Sequence, residues 1–406
     1  MDEFVKKIWG RKAVKYCIFA VLAAMALISL IQGIRNAAEY SQDFQWDAAK
    51  ALTMRINPYD ESLSPGGALN EYGFDKYYLQ MEANQFPSLL MLLIPYTFLP
   101  PLTARYAWIV SNLIFTAGII FLLRRTFLKE ADSDIFIVFM LLLIAGTPYR
   151  NQLGVGQHTL FSFFFFLLAV WFSEREDKKA AFTGTVLCLF ICYFKYTLTV
   201  PLCLYFVYKK KYVEIAVSAA VHVVLTFVAA VWLGDSFINM IIKPLKVSSA
   251  LAAEGGIDLG VLLHGSGSAY VLAFIVMAGL FFMALRLGGL EDGRSEEADH
   301  DSGICMDGGF FSVLILWSLI ITYHRTYDFF VMVAILAFFQ RRHRPLPRVL
   351  EVGYGVVLLA VFFVLRVFSE SMGSKIVVGA MYYVFTIAVT AVIIYEMRSK
   401  DRLTGR

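Results

Sequence analysis

Residues 14–31 read VKYCIFAVLAAMALISLI, and this stretch decides the fold. After Lys15 at its second position the run carries no charge. At a rise of ~1.5 Å per residue it covers ~27 Å of a ~30 Å hydrocarbon core. A helix bonds its backbone N–H and C=O groups internally, which is the condition for entering a medium without water. The composition agrees: of 406 residues, 59% are hydrophobic and only 17% charged, with a mean hydropathy of +0.65. Those values exclude an ordinary soluble domain. Lys6, Lys7, Arg11 and Lys12 ahead of the run resemble the basic start of a signal peptide. The run is longer than a signal's apolar region and many more follow, so it reads as a retained first helix.

Apolar runs recur at residues 14–31, 104–123, 135–148, 158–173, 180–194, 196–208, 212–233, 268–287, 309–323, 327–340, 349–368 and 376–396. They predict an all-α integral membrane protein, polytopic, with about twelve transmembrane helices. A further run at 86–99 contains Pro95, is followed by Pro100 and Pro101, and as a helix reaches only ~21 Å. If it does not cross, roughly two thirds of the Lys and Arg fall on the side of the N-terminus; if it crosses, the balance reverses. The positive-inside rule selects the first arrangement.

The organisation then reads as a cytoplasmic N-terminus (1–13) and a first transmembrane module (14–233) holding a large outer loop (32–103). A second outer loop (234–267) and a C-terminal module (268–406) with an acidic cytoplasmic linker (288–308) follow. The run 86–99 lies on the outer leaflet as an interfacial helix. The net charge of +4 thus reports topology and does not point to nucleic acid. Cys17, Cys188, Cys192, Cys203 and Cys305 form no CxxC and no zinc spacing, and neither a metal nor a cofactor is expected.

Polar groups are expensive in hydrocarbon, so their placement marks where a membrane protein works. Here Asp43, Asp47, Arg150, Gln157, His158, Lys195 and the segment Tyr323-His324-Arg325-Thr326-Tyr327-Asp328 all fall at outer helix ends. A carboxylate facing cations at a membrane surface suits one chemistry, deprotonation of a hydroxyl while an anionic phosphate leaves.

The order of these features resembles the family-87 glycosyltransferases, which are GT-C membrane enzymes. The residues concerned are Asp43-Phe44 after the first helix, Asn57-Pro58-Tyr59, Phe86-Pro87 opening the interfacial helix, Gly156-Gln157, and Lys195 at an outer helix end. The resemblance covers roughly the first 210 residues and the segment 323–328. It implies inverting transfer of a sugar, mannose-like or a pentofuranose, from a polyprenyl-phosphate donor to a glycolipid or glycan acceptor at the outer face of the cell membrane. Asp43 would be the general base. Lys195, His324, Arg325 and Arg150 would bind the donor phosphate, and Asp47, Asn57, Tyr59, Gln157, His158 and Asp328 would contact substrate. Ile56 stands where a Gly commonly precedes the Asn-Pro-Tyr, and Tyr196 where a Pro often follows the Lys.

Each residue also has a plainer reading. Asp43 is placed to cap the helix-like stretch that follows it, and Asp47 stands three residues before Lys50, at ion-pair spacing. Lys195 has the stem to snorkel to the interface, Arg150 suits a topological anchor, and His324 with Arg325 suits a helix boundary. His222, inside 212–233, reads as a hydrogen-bonded core residue. The rival function is a polytopic transporter or lipid flippase, which requires ionisable groups near the bilayer midplane; only His222 fits.

Overall fold

The computed structural model describes residues 11–64, 82–251, 256–292, 300–339, 346–365 and 372–403. Residues 65–81 of the predicted first outer loop and 293–299 of the acidic linker lie outside the described residues. Every regular element among the described residues is helical.

Helix α1 (Lys12–Glu39) is followed by a 3-10 turn at Gln42–Phe44 and two short helices, α2 (Trp46–Thr53) and α3 (Pro58–Leu63). Asn57 caps α3, its Oδ1 accepting from the backbone N–H groups of Tyr59 and Asp60, with Pro58 at the first helical position. That pairing of cap and proline favours a helix start. The run 86–99 folds as three pieces, α4 (Pro87–Leu90), a 3-10 turn (Met91–Leu93) and α5 (Ile94–Thr97). Pro95 has no N–H to continue an α ladder, so one unbroken interfacial helix is not formed.

Helix α6 (Pro101–Arg125) starts behind Pro100, and α7 (Ser133–Ala145) starts on Asp132, whose side chain accepts from two backbone N–H groups. At Gly146 the chain bends by 49° into α8 (Thr147–Val155), because Pro148 interrupts the ladder. Next come α9 (Thr159–Ser173), α10 (Lys178–Cys192), a 3-10 turn (Tyr193–Lys195), α11 (Tyr196–Leu202) and α12 (Leu204–Tyr208). The next elements are α13 (Tyr212–Leu233), α14 (Phe237–Leu251), α15 (Leu259–Leu262), α16 (Gly267–Asp292) and α17 (His300–Ile321). A 3-10 helix at Thr326–Phe339 is buried along almost its whole length. Helix α18 (Arg348–Leu359) runs into a π turn at Ala360–Val364, and α19 (Met372–Leu403) is the last described element.

Among the described residues six helices are long and apolar enough to cross a bilayer, seven if the bent α7–α8 pair counts as one span. One of the six, Lys178–Leu202, turns back on itself at Lys195. The Thr322 hydroxyl donates to Thr197 O beyond the C-terminal end of α17, while Lys209 Nζ reaches Asp307 Oδ1 near its N-terminal end, 2.7 Å away. The chain after Lys195 therefore runs antiparallel to α17. Phe274 on α16, Val231 on α13 and Val384 on α19 are each about 70% exposed, whereas Phe163, Phe166, Phe311 and Phe330 are fully buried. Apolar side chains this exposed over several helices require lipid around them. The protein is an all-helical polytopic membrane protein.

The two ends of the bundle differ. One carries ion pairs between Lys15 and Asp134 (2.6 Å), Lys129 and Glu174 (3.7 Å), and Lys209 and Asp307 (2.7 Å). At the other, α2 and α3 are tied to α13 and α14. Trp232 Nε1 donates to Leu52 O (2.8 Å), and the Arg55 guanidinium lies 4.1 Å over the Trp232 ring. Lys243 bridges Asp60 and Asp235 at 2.6 Å each, and Asn57 Nδ2 donates to Asp235 Oδ2 (3.0 Å). Asn57→Ala should therefore lower stability by about 1 kcal/mol through the lost cap. Asn57→Asp caps equally well but sets a second carboxylate against Asp235, so it should also melt below wild type in detergent. A melting temperature unchanged in Asn57→Asp would reduce Asn57 to its capping role.

Candidate active site

The turn after α1 is built on an uncommon backbone. Ser41 (φ 41°) and Gln45 (φ 61°) are both left-handed and flank the Gln42–Phe44 turn. Ser41 Oγ donates to Ala37 O (2.6 Å), and Phe44 is buried and stacked on Trp108, with 4.9 Å between centroids. Gly156, itself at φ 71°, presses against this turn, and a Cβ there would sit 3.2 Å from that of Ser41. Trp108 Nε1 donates to Gly156 O (2.7 Å) and His158 Nε2 to Phe44 O (3.0 Å). These contacts hold Asp43 against the junction of α8 and α9.

Asp43 Oδ2 accepts from Gln157 Nε2 (3.2 Å), which also donates to the Tyr327 hydroxyl (2.9 Å). The Gln157 orientation is fixed from behind, since its Oε1 accepts from the His158 backbone N–H (2.8 Å). Asp43 does not cap α2: the cap position is Gln45, without a side-chain bond. Burial raises the Asp43 carboxyl above its usual range, and Arg325 and Lys195 pull it back.

Lys195 is almost fully buried and sits 3.4 Å from Asp328 Oδ2. Its backbone N–H donates to Ser162 Oγ (2.8 Å). Asp328 is fully buried, accepts from the Thr159 hydroxyl, and is 2.8 Å from His324 Nδ1. Lys195 is therefore a fixed cation and does not snorkel. Its ammonium also lies 5.5 Å from the centre of the Tyr327 ring. Arg325 Nε donates to the Tyr323 hydroxyl (2.7 Å).

Asp43, Gln157, His158, Lys195 and Arg325 border one narrow polar cleft. Gln45, Glu82, Asn84, Gln85, Tyr323 and Tyr327 complete much of its wall. A much larger apolar groove adjoins it, with Leu204 and Val207 of α12, Val223 and Thr226 of α13, and Met277 of α16 on its sides. Tyr196 lines both spaces. Among the described residues no three His, Cys, Asp or Glu side chains converge as a metal-binding group.

The remaining candidates lie outside this lining. His324 and Asp328 are fully buried behind the cleft wall. Arg150 donates to Gln32 Oε1 on α1 (2.8 Å). Asn57 belongs to the α3–α14 tie, and the buried Tyr59 hydroxyl donates to Gln85 O (2.7 Å), fixing the backbone of a cleft residue. Asp47 is buried on α2, where Oδ1 accepts from the Ala48 N–H (3.0 Å); Lys50 donates instead to Thr97 O. His222 sits on the groove wall with Nδ1 2.9 Å from Ser88 Oγ and Nε2 2.9 Å from Phe190 O. Gln45, Glu82, Asn84 and Gln85 were not among the predicted site residues. Two weak signals were available: Gln45 stands two residues from Asp43, and the polar run Glu82-Ala83-Asn84-Gln85 immediately precedes Phe86-Pro87.

The cleft thus sets the Asp43 carboxylate among the cations Lys195 and Arg325 in a membrane-embedded helical bundle. The model of glycosyltransferase family 87 matches residues 87–298. The chain belongs to that family and is a membrane glycosyltransferase. No curated protein and no solved structure matches it. The matched stretch contains Gln157, His158 and Lys195, while Asp43 and segment 323–328 lie beyond it.

Asp47 gives a stability test independent of activity. Burial pushes its carboxyl up to about 7, against the opposing pull of the Ala48 N–H. The folded state then holds a proton that the unfolded state has released, so stability is present at low pH and lost as pH rises through about 7. The wild-type melting temperature should fall between about pH 4 and about pH 7, and Asp47→Asn, neutral throughout, should flatten that fall. Parallel melting curves for the two proteins would remove Asp47 as the source.

Proposed function

We propose that the protein transfers a sugar from a polyprenyl-phosphate donor to a hydroxyl acceptor, with inversion, at the extracytoplasmic face of the membrane. One observation carries this reading: a polar cleft with Asp43, Lys195 and Arg325 on its wall shares Tyr196 with an apolar groove flanked by α12, α13 and α16. A lipid-linked phosphosugar has that division, an anionic head and a hydrocarbon tail. The positive-inside rule applied to the basic loops supports this orientation, with the cleft end of the bundle outside.

In this mechanism the acceptor O–H gives its proton to an Asp43 carboxylate oxygen as its oxygen forms a bond to the anomeric carbon. The bond from that carbon to the phosphate oxygen breaks, and the electron pair leaves with the phosphate. Attack opposite the leaving group inverts the anomeric centre. Lys195 and Arg325 stabilise the charge developing on the leaving phosphate, where fixed cations in a water-poor site contribute most. Gln157 orients Asp43, and His324 acts through Asp328 by holding the anion that positions Lys195. The donor sugar is mannose-like or a pentofuranose, the acceptor a glycolipid or glycan, and the chain passes the cell membrane about twelve times. A transport reading draws only on His222, and both nitrogens of that ring are engaged by Ser88 and Phe190.

Asp43→Asn keeps size and hydrogen-bonding capacity but is no base, so kcat should fall by ~10²–10⁴-fold with the fold intact. The check is release of labelled sugar from a panel of polyprenyl-phosphate donors by the purified protein; a fully active Asn variant would exclude the role. A base raised by burial also places the acidic limb of kcat/KM above the ordinary carboxylate range, with activity increasing as pH rises through it. Because the Arg325 cation lowers the Asp43 pKa, Arg325→Gln should move that limb to higher pH. A limb that stays in place or moves down would separate Arg325 from Asp43.

A further inference from the structure

Seven buried side-chain atoms among the described residues lack a hydrogen-bond partner, and three of them belong to residues bordering the polar cleft: Gln45 Oε1, Gln85 Oε1 and Thr197 Oγ1. Gln45 and Gln85 are each only 6% exposed. Their amides are not turned at random. Gln45 Nε2 donates to Glu82 O (2.8 Å), and Gln85 Nε2 donates to Asn84 Oδ1 (3.1 Å), so in each case the nitrogen is committed and the oxygen is left over. The left-handed backbone at Gln45 and the Tyr59 bond to Gln85 O fix where the two side chains start.

A buried amide oxygen without a donor is unfavourable, and a native fold that keeps two beside one cleft has a use for them. The occupant must bring hydrogen-bond donors. An ionised phosphate offers acceptors only and belongs with Lys195 and Arg325, while a hydrocarbon tail offers nothing to an amide oxygen. Hydroxyl groups remain, the groups in which a sugar is rich. We propose that Gln45 and Gln85 form a specificity subsite whose carbonyl oxygens accept hydrogen bonds from sugar hydroxyls, with the Thr197 hydroxyl as a third contact. The inference rests on the glycosyltransferase reading and deepens it. The sugar is that of the donor or that of the acceptor, which share this chemistry. Both side chains belong to residues on the wall of the cleft that also carries Asp43 and Lys195.

The test uses the full-length protein in detergent with a lipid-phosphate sugar, an acceptor, and single-deoxy analogues of each. Wild type should reject at least one deoxy analogue, because its absent hydroxyl leaves an amide oxygen unpaired. Gln45→Met and Gln85→Met should lose ~10–100-fold in kcat/KM with the hydroxylated substrate, and should accept the corresponding deoxy analogue as well as the parent. Gln85→Glu, beside an Asn84 amide that can turn to donate, keeps an acceptor oxygen and should keep the discrimination. If a Met variant does not fold, Gln→Asn at the same position withdraws the oxygen by one methylene and should weaken discrimination in the same direction. Loss confined to deoxy donors assigns the subsite to the donor sugar, and loss confined to deoxy acceptors to the acceptor. Variants that discriminate every analogue as wild type does would overturn the inference while leaving the transfer reaction in place. A wild type that consumes no lipid-phosphate sugar at all would overturn both, a result visible before any variant is measured.

Discussion

The ion pair between Lys195 and Asp328 is the interaction on which the cleft depends. Both groups are almost fully buried, and a charge in that position without its partner costs about 3–5 kcal/mol. Asp328 is also held by Thr159 at the start of α9 and by His324 ahead of the 3-10 helix. One carboxylate thus joins the α10–α11 turn, the head of α9 and the segment after α17. Lys195 can stand at the edge of hydrocarbon because that anion is behind it, and the same anion fixes the ammonium near the Tyr327 ring.

From that anchor the site divides by solvent character. Polar groups collect where helices end and backbone bonds are incomplete, which is where amides, carboxylates and cations can be satisfied. Apolar groups line the neighbouring groove, open toward the surrounding lipid. Tyr196 stands at the junction, its ring beside Phe86 and its hydroxyl 3.2 Å from Ser248 Oγ. A side chain with one apolar face and one polar tip suits such a boundary. The glycines serve the same geometry: Gly156 lets the α8 terminus press against the turn that carries Asp43, where a side chain would meet Ser41.

Hydropathy made the membrane class and most helices legible, because hydrocarbon thickness dictates how long an apolar run must be. Asp43, Gln157 and Lys195 stood out as polar residues where apolar runs end, and the structure sets all three on one cleft. Gln45 and Gln85 did not stand out. A glutamine in a loop is ordinary, and its significance lies in being buried with one atom unpaired, which only tertiary packing decides. His324 and Arg325 show a related limit: adjacent residues leave the chain in different directions, so one faces Asp328 inside while the other faces the cleft. Asn57 and Tyr59 form a motif in the sequence, and the structure gives them a tie to Asp235 and a bond to Gln85 O. The winding of Thr326–Phe339 was also hidden, since a segment apolar on every side has no periodicity to separate a three-residue turn from a 3.6-residue one.

That winding bears on reach. A 3-10 helix advances ~2.0 Å per residue against ~1.5 Å for an α-helix. The segment has 14 residues, so it extends ~28 Å where an α-helix of equal length would extend ~21 Å. Drawn out in this way, a chain too brief for ordinary coiling attains nearly the depth of the oily layer while keeping its backbone bonds internal. Relaxation to the wider coil would shorten it by ~7 Å and pull Tyr327 and Asp328 away from the residues they meet. The stretched coil therefore acts as a spacer whose length sets the position of the carboxylate at its tip.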